Sequence, residues 1–217
     1  MAHSQISWCQ VGSHIVVIDI RRDTYLQLPP SLVEAFHALR YAGRPGGGPA
    51  ECLEALARIG LCDKDYTRPA EQPTIRVPAH DMPPPAVGYR RPPPQTMMAA
   101  LARIITARLA VRALPLRVLA QRVRRLETWP SRPMAQADVA ARTAVFVQAR
   151  QLLPARGACL PDSIALVHFL RAREIACNMV FGVRLDPFEA HCWVQNTDAI
   201  LGDTHERVSC FTPILQL

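Results

Sequence analysis

The chain has 217 residues, 49% of them apolar and 20% charged, a balance that excludes wholesale disorder and supplies one large core or two small ones. Its net charge of +7 is nearly all arginine (Lys64 is the only lysine), and residues 90–132 alone hold ten arginines against one acid, Glu127. No uncharged apolar stretch approaches the roughly 18 residues of a membrane span, and the opening Met1 to Gln5 lacks a basic-then-apolar signal, so neither stable membrane insertion nor secretion is expected.

In chain order, the front reads as three short strands, Ile6 to Gln10, His14 to Asp19 and Thr24 to Leu28, separated by Gly12-Ser13 and Arg21-Arg22-Asp23. Pro30-Ser31 opens a helix with Ser31 as N-cap and Glu34 at the capping-box position, carrying Leu32, Phe36 and Leu39. Gly43 to Pro49 breaks it. A second helix runs from about Ala50 to Ile59, with Leu53, Leu56, Ala57 and Ile59 apolar, and Gly60 ends it. Strands and helices of this size over residues 1–66 make a small winged-helix-like module. It carries no catalytic constellation, so its expected work is binding.

Between Thr67 and Gln95 proline recurs at 69, 73, 78, 83–85 and 92–94, a density that precludes helix interiors and central strands and favours extended geometry. Residues 67–95 therefore read as a connector to a second domain, 96–217. There, Ala99 to Arg125 reads as two helices meeting at Pro115, with Leu101, Ile104, Leu109, Leu116, Leu119 and Val123 among the apolar positions and arginines dispersed around them. This segment is expected to pack as a first helical layer and to expose a basic surface, of a kind that can attract RNA, anionic lipid or an acidic peptide.

The most informative position is Cys159. Ala155-Arg156-Gly157-Ala158 supplies a small-residue approach, and Cys159-Leu160-Pro161-Asp162-Ser163 opens a helix in which Ile164, Val167 and Leu170 recur at helical spacing. Pro161 fits the first turn, where its missing N–H loses no partner, and Asp162 suits the positive helix end. A cysteine at that end has a lowered pKa, and the free N–H groups beside it can stabilise an oxyanion. The other six cysteines have no such setting. Cys9, Cys177 and Cys192 fall in apolar strand patterns and Cys52 on an amphipathic helix, all read as core; Cys62 and Cys210 are not followed by a helix. An odd number of cysteines with no C-x-x-C spacing argues for a reducing cytoplasm and against structural zinc. No metal and no cofactor is expected.

His191 lies in the strand Ala190-His191-Cys192-Trp193-Val194-Gln195, which alternation divides into one face with His191, Trp193 and Gln195 and another with Ala190, Cys192 and Val194. A second strand, Cys177 to Leu185, can lie beside it. His168, nine residues into the helix of Cys159, stands roughly 13 Å away by the helical rise and is too far to act on it. His205 is the weaker alternative base. Asn196-Thr197-Asp198-Ala199 reads as a hairpin turn, and folding about it brings Asp203 opposite residues 192–193. Asp203 is thus preferred as the orienting acid over Asp198 and Glu206. A Cys-His-Asp set of Cys159, His191 and Asp203 is the arrangement of papain-like and transglutaminase-like sites.

Taken whole, the chain resembles the two-domain B proteins of lasso peptide biosynthesis, in which a peptide-recognition domain is fused to a transglutaminase-like cysteine peptidase. The resemblance is carried in front by Val17-Ile18-Asp19, Tyr25-Leu26-Gln27-Leu28-Pro29 and Ile59-Gly60-Leu61. Behind, Cys159 to Leu166, Phe181-Gly182-Val183, Phe188 to Val194 and Phe211-Thr212-Pro213 carry it. Asp162 stands where a basic residue is common, Cys192 where alanine is common, and Gln195 replaces an acid. The resemblance implies an α+β fold with a winged-helix-like front and a transglutaminase-like, papain-like rear. It also implies a cytoplasmic leader peptidase that binds the leader of a ribosomally made precursor and cuts it from the core. An asparagine-synthetase-like lasso cyclase would then take the core peptide. The leader would add to the edge strand at Tyr25, Leu26 and Leu28 and lie against a groove wall of Leu53, Leu56 and Ile59.

Two other readings use the same residues. The acyl-enzyme could pass to an amine, making the protein a transglutaminase-like acyltransferase. A nucleic-acid-binding regulator would need an arginine-studded recognition helix, and residues 31–40 and 50–59 offer only Arg40 and Arg58, so no nucleic-acid partner is expected.

Overall fold

The computed structural model describes residues 5–42, 49–66, 69–85, 93–127, 134–154 and 157–217. They fall into two compact units, Met1–Ile75 and Arg76–Leu217.

In the first unit, β1 (Ile6–Val11), β2 (His14–Asp19) and β3 (Thr24–Gln27) form an antiparallel sheet in the order β1-β2-β3. Trp8 lies opposite Val17, and Val17 opposite Leu26, so alternate residues of β1 and β2 meet on one apolar face. That face is covered by α1 (Pro30–Ala42) and α2 (Ala50–Ile59). The core joins Trp8, Ile15, Val17, Phe36, Leu56 and Leu61, with Trp8 meeting Phe36 edge-on at 5.0 Å. Buried Trp8 must satisfy its indole N–H, which donates to the Ala70 carbonyl at 3.0 Å. Gly60 closes α2 with a paired cap: its N–H donates to Ala57 O, and Leu61 N–H to Leu56 O.

The start of α1 differs from expectation. Pro29 O accepts the Leu32 and Val33 N–H groups, so Pro29 holds the cap position, Pro30 is the first helical residue, and Ser31 is already inside. A proline there forfeits no hydrogen bond, and this outweighs the side-chain capping preference of Ser31. The expected break between the helices falls mostly on residues 43–48, outside the described residues.

The second unit runs through α3 (Pro94–Ala113), α4 (Leu116–Glu127), α5 (Gln136–Leu152), α6 (Cys159–Arg171), β4 (Asn178–Arg184), β5 (Glu189–Gln195), β6 (Ile200–Leu201), α7 (His205–Val208) and β7 (Thr212–Gln216). Its four strands form an antiparallel sheet in the order β6-β5-β4-β7. Helix α6 is the hub, packed on α3, α4 and α5 as well as on β4 and β5. Such a helix must be apolar all round, and from Ser163 to Arg171 every residue but His168 is buried. Pro115 O accepts the Val118 and Leu119 N–H groups, so the proline ends one helix and starts the next. Around these two helices Arg103, Arg112, Arg117, Arg122 and Arg125 are exposed, whereas Arg108 turns inward.

The proline-rich segment contributes to both units. Ala70 belongs to the first through the Trp8 bond. In the second, Ile200 N–H donates to His80 O at 3.0 Å and Met82 N–H to Ile200 O at 2.9 Å, so residues 80–82 run along β6. Thr67, Arg68 and residues 86–92 lie outside the described residues. No helix among the described residues is long and apolar enough to cross a membrane.

Candidate active site

Cys159 is the first residue of α6, and the helix begins with Asp162 N–H donating to Ala158 O at 2.9 Å. The N–H groups of Cys159 and Leu160 precede the first intrahelical bond and so have no acceptor within the helix. Gly157 and Ala158 lead into the helix; Ala155 and Arg156 lie outside the described residues.

The length of β6 explains how this helix end reaches the sheet. Only two residues long, it pairs with Val194 and Gln195, so the adjoining edge of β5 is open to α6. There Ser163 Oγ donates to Cys192 O at 3.1 Å, and the Cys192 N–H and thiol both hydrogen-bond the Cys159 sulfur. His191 meets the same sulfur from the other face of the strand.

Asp203 arrives from the hairpin. Val194 lies opposite Leu201, and continuing that register two residues puts Asp203 level with Cys192, beside His191. The chain leaves β6 through Gly202 at φ +73, where a Cβ would also press on Leu166 at 3.1 Å. Arg150 of α5 steadies this turn by donating from Nη1 to Gly202 O at 3.1 Å. Asp203 Oδ2 then accepts from His191 Nε2 at 2.7 Å, leaving Nδ1 for the sulfur.

The imidazole is packed as well as bonded. Its centroid lies 5.1 Å from that of Phe211 and 6.1 Å from that of Trp193. Trp193 Nε1 donates to Gln195 Oε1 at 2.8 Å, and Gln195 Nε2 donates to Arg76 O at 2.7 Å, so the buried polar groups behind the ring are satisfied. Trp193 fits because residue 182 is glycine. A Cβ there would stand 2.7 Å from Trp193 Cζ3 and 3.0 Å from Phe211 Cβ. Gly182→Ala is expected to cost roughly 1–3 kcal/mol, read as a lowered midpoint of thermal unfolding, because a filled core site gains a clashing methyl.

The electrostatics favour an ion pair. The hydrogen bond from the Cys192 thiol is the largest influence on Cys159; burial opposes it, but His191 and the Cys192 N–H add to it, bringing the thiol down to about 4. Burial alone would lower His191, yet its bonds to Asp203 and Cys159 outweigh that and raise it to about 8. Asp203 is pushed up by burial, but the bonds from His191 and Thr204 N–H and the charge of Arg207 hold it below its usual range. Thiolate forms above the lower value and imidazolium persists below the upper one, so the pair is populated between about pH 4 and 8. Alkylation of Cys159 by iodoacetamide should therefore stay fast at pH 6, where an ordinary thiol near 8.5 is almost unreactive. A rate rising only above pH 8 would contradict the ion pair.

A cavity of about 460 Å³ opens onto Cys159, His191 and Asp203 and is also bounded by Arg108, Glu189 and Arg207. Residues 101–216, from α3 to β7, match the family model described as the transglutaminase-like superfamily. The chain belongs to the transglutaminase-like superfamily. No curated protein and no solved structure matches it. For a transglutaminase-like domain, the helix-borne thiol and strand-borne imidazole mark a papain-like cysteine enzyme, a hydrolase or transferase in broad class.

The remaining candidates sit apart from this transglutaminase-like centre. His168 is near the far end of α6, and burial lowers it. His205 opens α7, its N–H bonded to Asp81. Asp198 is at the hairpin tip, its N–H and that of Ala199 bonded to Asn196 Oδ1. Glu206 lies on α7 and accepts Ser209 Oγ at its backbone carbonyl. Cys192, read as core, is buried at 3% exposure but touches the nucleophile. Strand alternation set it opposite His191, and only the open edge of β5 brings both to one sulfur. Asp162, read as a helix-end charge, is pushed up by burial and pairs with Arg108 of α3 at 3.3 Å. No group of side chains among the described residues is arranged to hold a metal ion.

Of the six residues expected to meet a peptide, Leu26 is exposed, while Tyr25 and Ile59 are half-buried. Leu28, Leu53 and Leu56 are at 2%, 4% and 0% exposure. Their side chains are covered by the unit itself and do not face outward. Leu28 and Leu56 belong to the core between sheet and helices, since β3 ends at Gln27 and Leu28 already turns inward with its N–H on Ile15 O, while Leu53 is buried on α2.

Proposed function

We propose that this protein is the leader peptidase of a lasso peptide pathway: the first unit captures the precursor leader, and the second cuts leader from core. The reading rests above all on Cys159, His191 and Asp203 converging in an open cavity with charge separation already in place. The Cys159 thiolate attacks the scissile carbonyl, and the developing oxyanion is received by the first-turn N–H groups of α6. His191 gives its proton to the leaving amine, which frees the core N-terminus for an asparagine-synthetase-like cyclase. Water, activated by the now neutral His191, hydrolyses the thioester.

Two further features favour a polypeptide substrate. A second cavity of about 320 Å³, bounded by Met82–Pro85 and α5, shares Arg150, Gly202 and Asp203 with the first, so room continues past the reacting atoms. In the first unit β3 has β2 on one side and, among the described residues, stands at the sheet edge, where an extended peptide can add a strand beside Leu26.

Mixing the protein with a synthetic lasso precursor and reading masses tests the proposal. Leader acid plus free-amine core is the expected pair; uncut precursor would overturn it. If an amine acceptor displaced water, the leader would carry the added amine at its C-terminus, the mark of acyl transfer. The division of labour has its own test. The fragment 1–75, with its own sheet and core, is expected to bind the leader in calorimetric titration without cutting it. A fragment that folds but gives no binding heat would place recognition elsewhere.

A further inference from the structure

Cys159 and Cys192 are two thiols on one site, and the second has so far served only as a hydrogen-bond donor to the Cys159 thiolate. Both line the same cavity, one at the start of α6 and one on the open edge of β5, and Ser163 clamps the two elements together beside them. Cys192 has 3% exposure and donates its S–H to the Cys159 sulfur. Of the other cysteines, Cys9 belongs to the first unit and Cys177 is buried and does not line this cavity, and burial pushes both thiols up to about 12.

We infer that Cys159 and Cys192 form a reversible modification site, in which a hydroperoxide oxidises Cys159 and Cys192 resolves it as an intramolecular disulfide. The inference goes beyond the proposed function, since it requires Cys159 to be a reactive thiolate but not any particular peptide substrate. The chemistry balances without a further reactant. With hydrogen peroxide, the Cys159 thiolate attacks one oxygen, the O–O bond breaks, and hydroxide leaves with the His191 proton as water. Cys159 is then a sulfenic acid. Its negative charge has gone, and with it two influences that hold the proton on Cys192: the hydrogen bond to the thiolate and the repulsion from it. The Cys192 sulfur attacks Cys159, its proton leaves with the hydroxyl as a second water, and the S–S bond closes. Two electrons have passed from the sulfurs to the peroxide, and a dithiol returns them.

The arrangement gives the enzyme a recoverable off state. The nucleophile is lost while the disulfide lasts, but it is diverted from the sulfinic and sulfonic acids that no simple thiol reverses. Speed follows from proximity: the two thiols line one cavity, and the resolving one already hydrogen-bonds the sulfur being oxidised.

The full-length protein should be treated with hydrogen peroxide, blocked with iodoacetamide, and mapped by mass spectrometry without reduction. A peptide pair linked through Cys159 and Cys192 is the expected product, and dithiothreitol should restore nearly all alkylation at Cys159. Cys192→Ala, and Cys192→Ser as a second variant should the first fold poorly, should lose this recovery, with Cys159 accumulating as sulfinic acid. A parent protein in which Cys159 is over-oxidised while Cys192 remains alkylatable would overturn the inference, as would linkage of Cys159 to another cysteine. Neither readout involves peptide cleavage, so failure of the leader peptidase assay would leave this result standing, and the converse.

Discussion

Cys159→Ala is expected to lower leader cleavage on the order of 10⁴-fold or more while leaving leader binding at its parental strength. The magnitude follows from the mechanism, because no covalent intermediate can form without the sulfur. Only positioning by the cleft and the helix N-terminus would remain to accelerate attack by water. The variant should fold, since it exchanges one small side chain for another at a cavity wall. Cleavage would be followed by mass, and binding by calorimetry on the same protein. Retained leader affinity with lost cleavage separates the catalytic unit from the recognising one; loss of both would tie the recognition to the catalytic site.

His191→Ala should be nearly as damaging, because it removes both the cation that stabilises the thiolate and the proton needed by the leaving amine. Its signature lies in the pH profile. Without the imidazole bond and charge, the Cys159 thiol rises from about 4, so alkylation at pH 6 should slow markedly. Asp203→Ala keeps base and nucleophile but frees the ring from its 2.7 Å anchor, and it should fall about two orders of magnitude short of the Cys159 loss. Glu206→Ala and Asp198→Ala remove groups on α7 and at the hairpin tip, and should leave cleavage close to parental. A larger loss from either than from Asp203→Ala would reassign the acid.

Much of this was legible in the residues because its determinants are local. The α6 start carries its own signals in Cys159-Leu160-Pro161-Asp162, and β5 and β6 follow from alternation around the Asn196 turn. Hairpin register then fixes the distance from His191 to Asp203 almost by counting. What escaped is what depends on elements far apart in the chain. On the packed face of helix α5, Ala140, Ala141, Thr143 and Ala149 stand among Val139, Val145 and Phe146, and small residues weaken the pattern that larger ones announce. The contact of Cys192 with Cys159 depends on β6 stopping after two residues, and the Gln195 bond spans more than a hundred residues to Arg76. At the front, Leu28, Leu53 and Leu56 carried the right pattern for a groove but belong to the core beneath it. Amphipathicity shows which face is apolar, not whether a peptide or the protein itself covers it.

The central claim is that the Cys159 thiolate attacks the leader–core bond. Its most direct test is rapid acid quench of full-length protein mixed with a lasso precursor, followed by intact-mass and peptide-map spectrometry. The account predicts a transient species heavier by the leader less one water, with the added mass on Cys159 as a thioester that decays as free leader appears. Leader released at the parental rate with no adduct on Cys159, and released equally by Cys159→Ala, would contradict it.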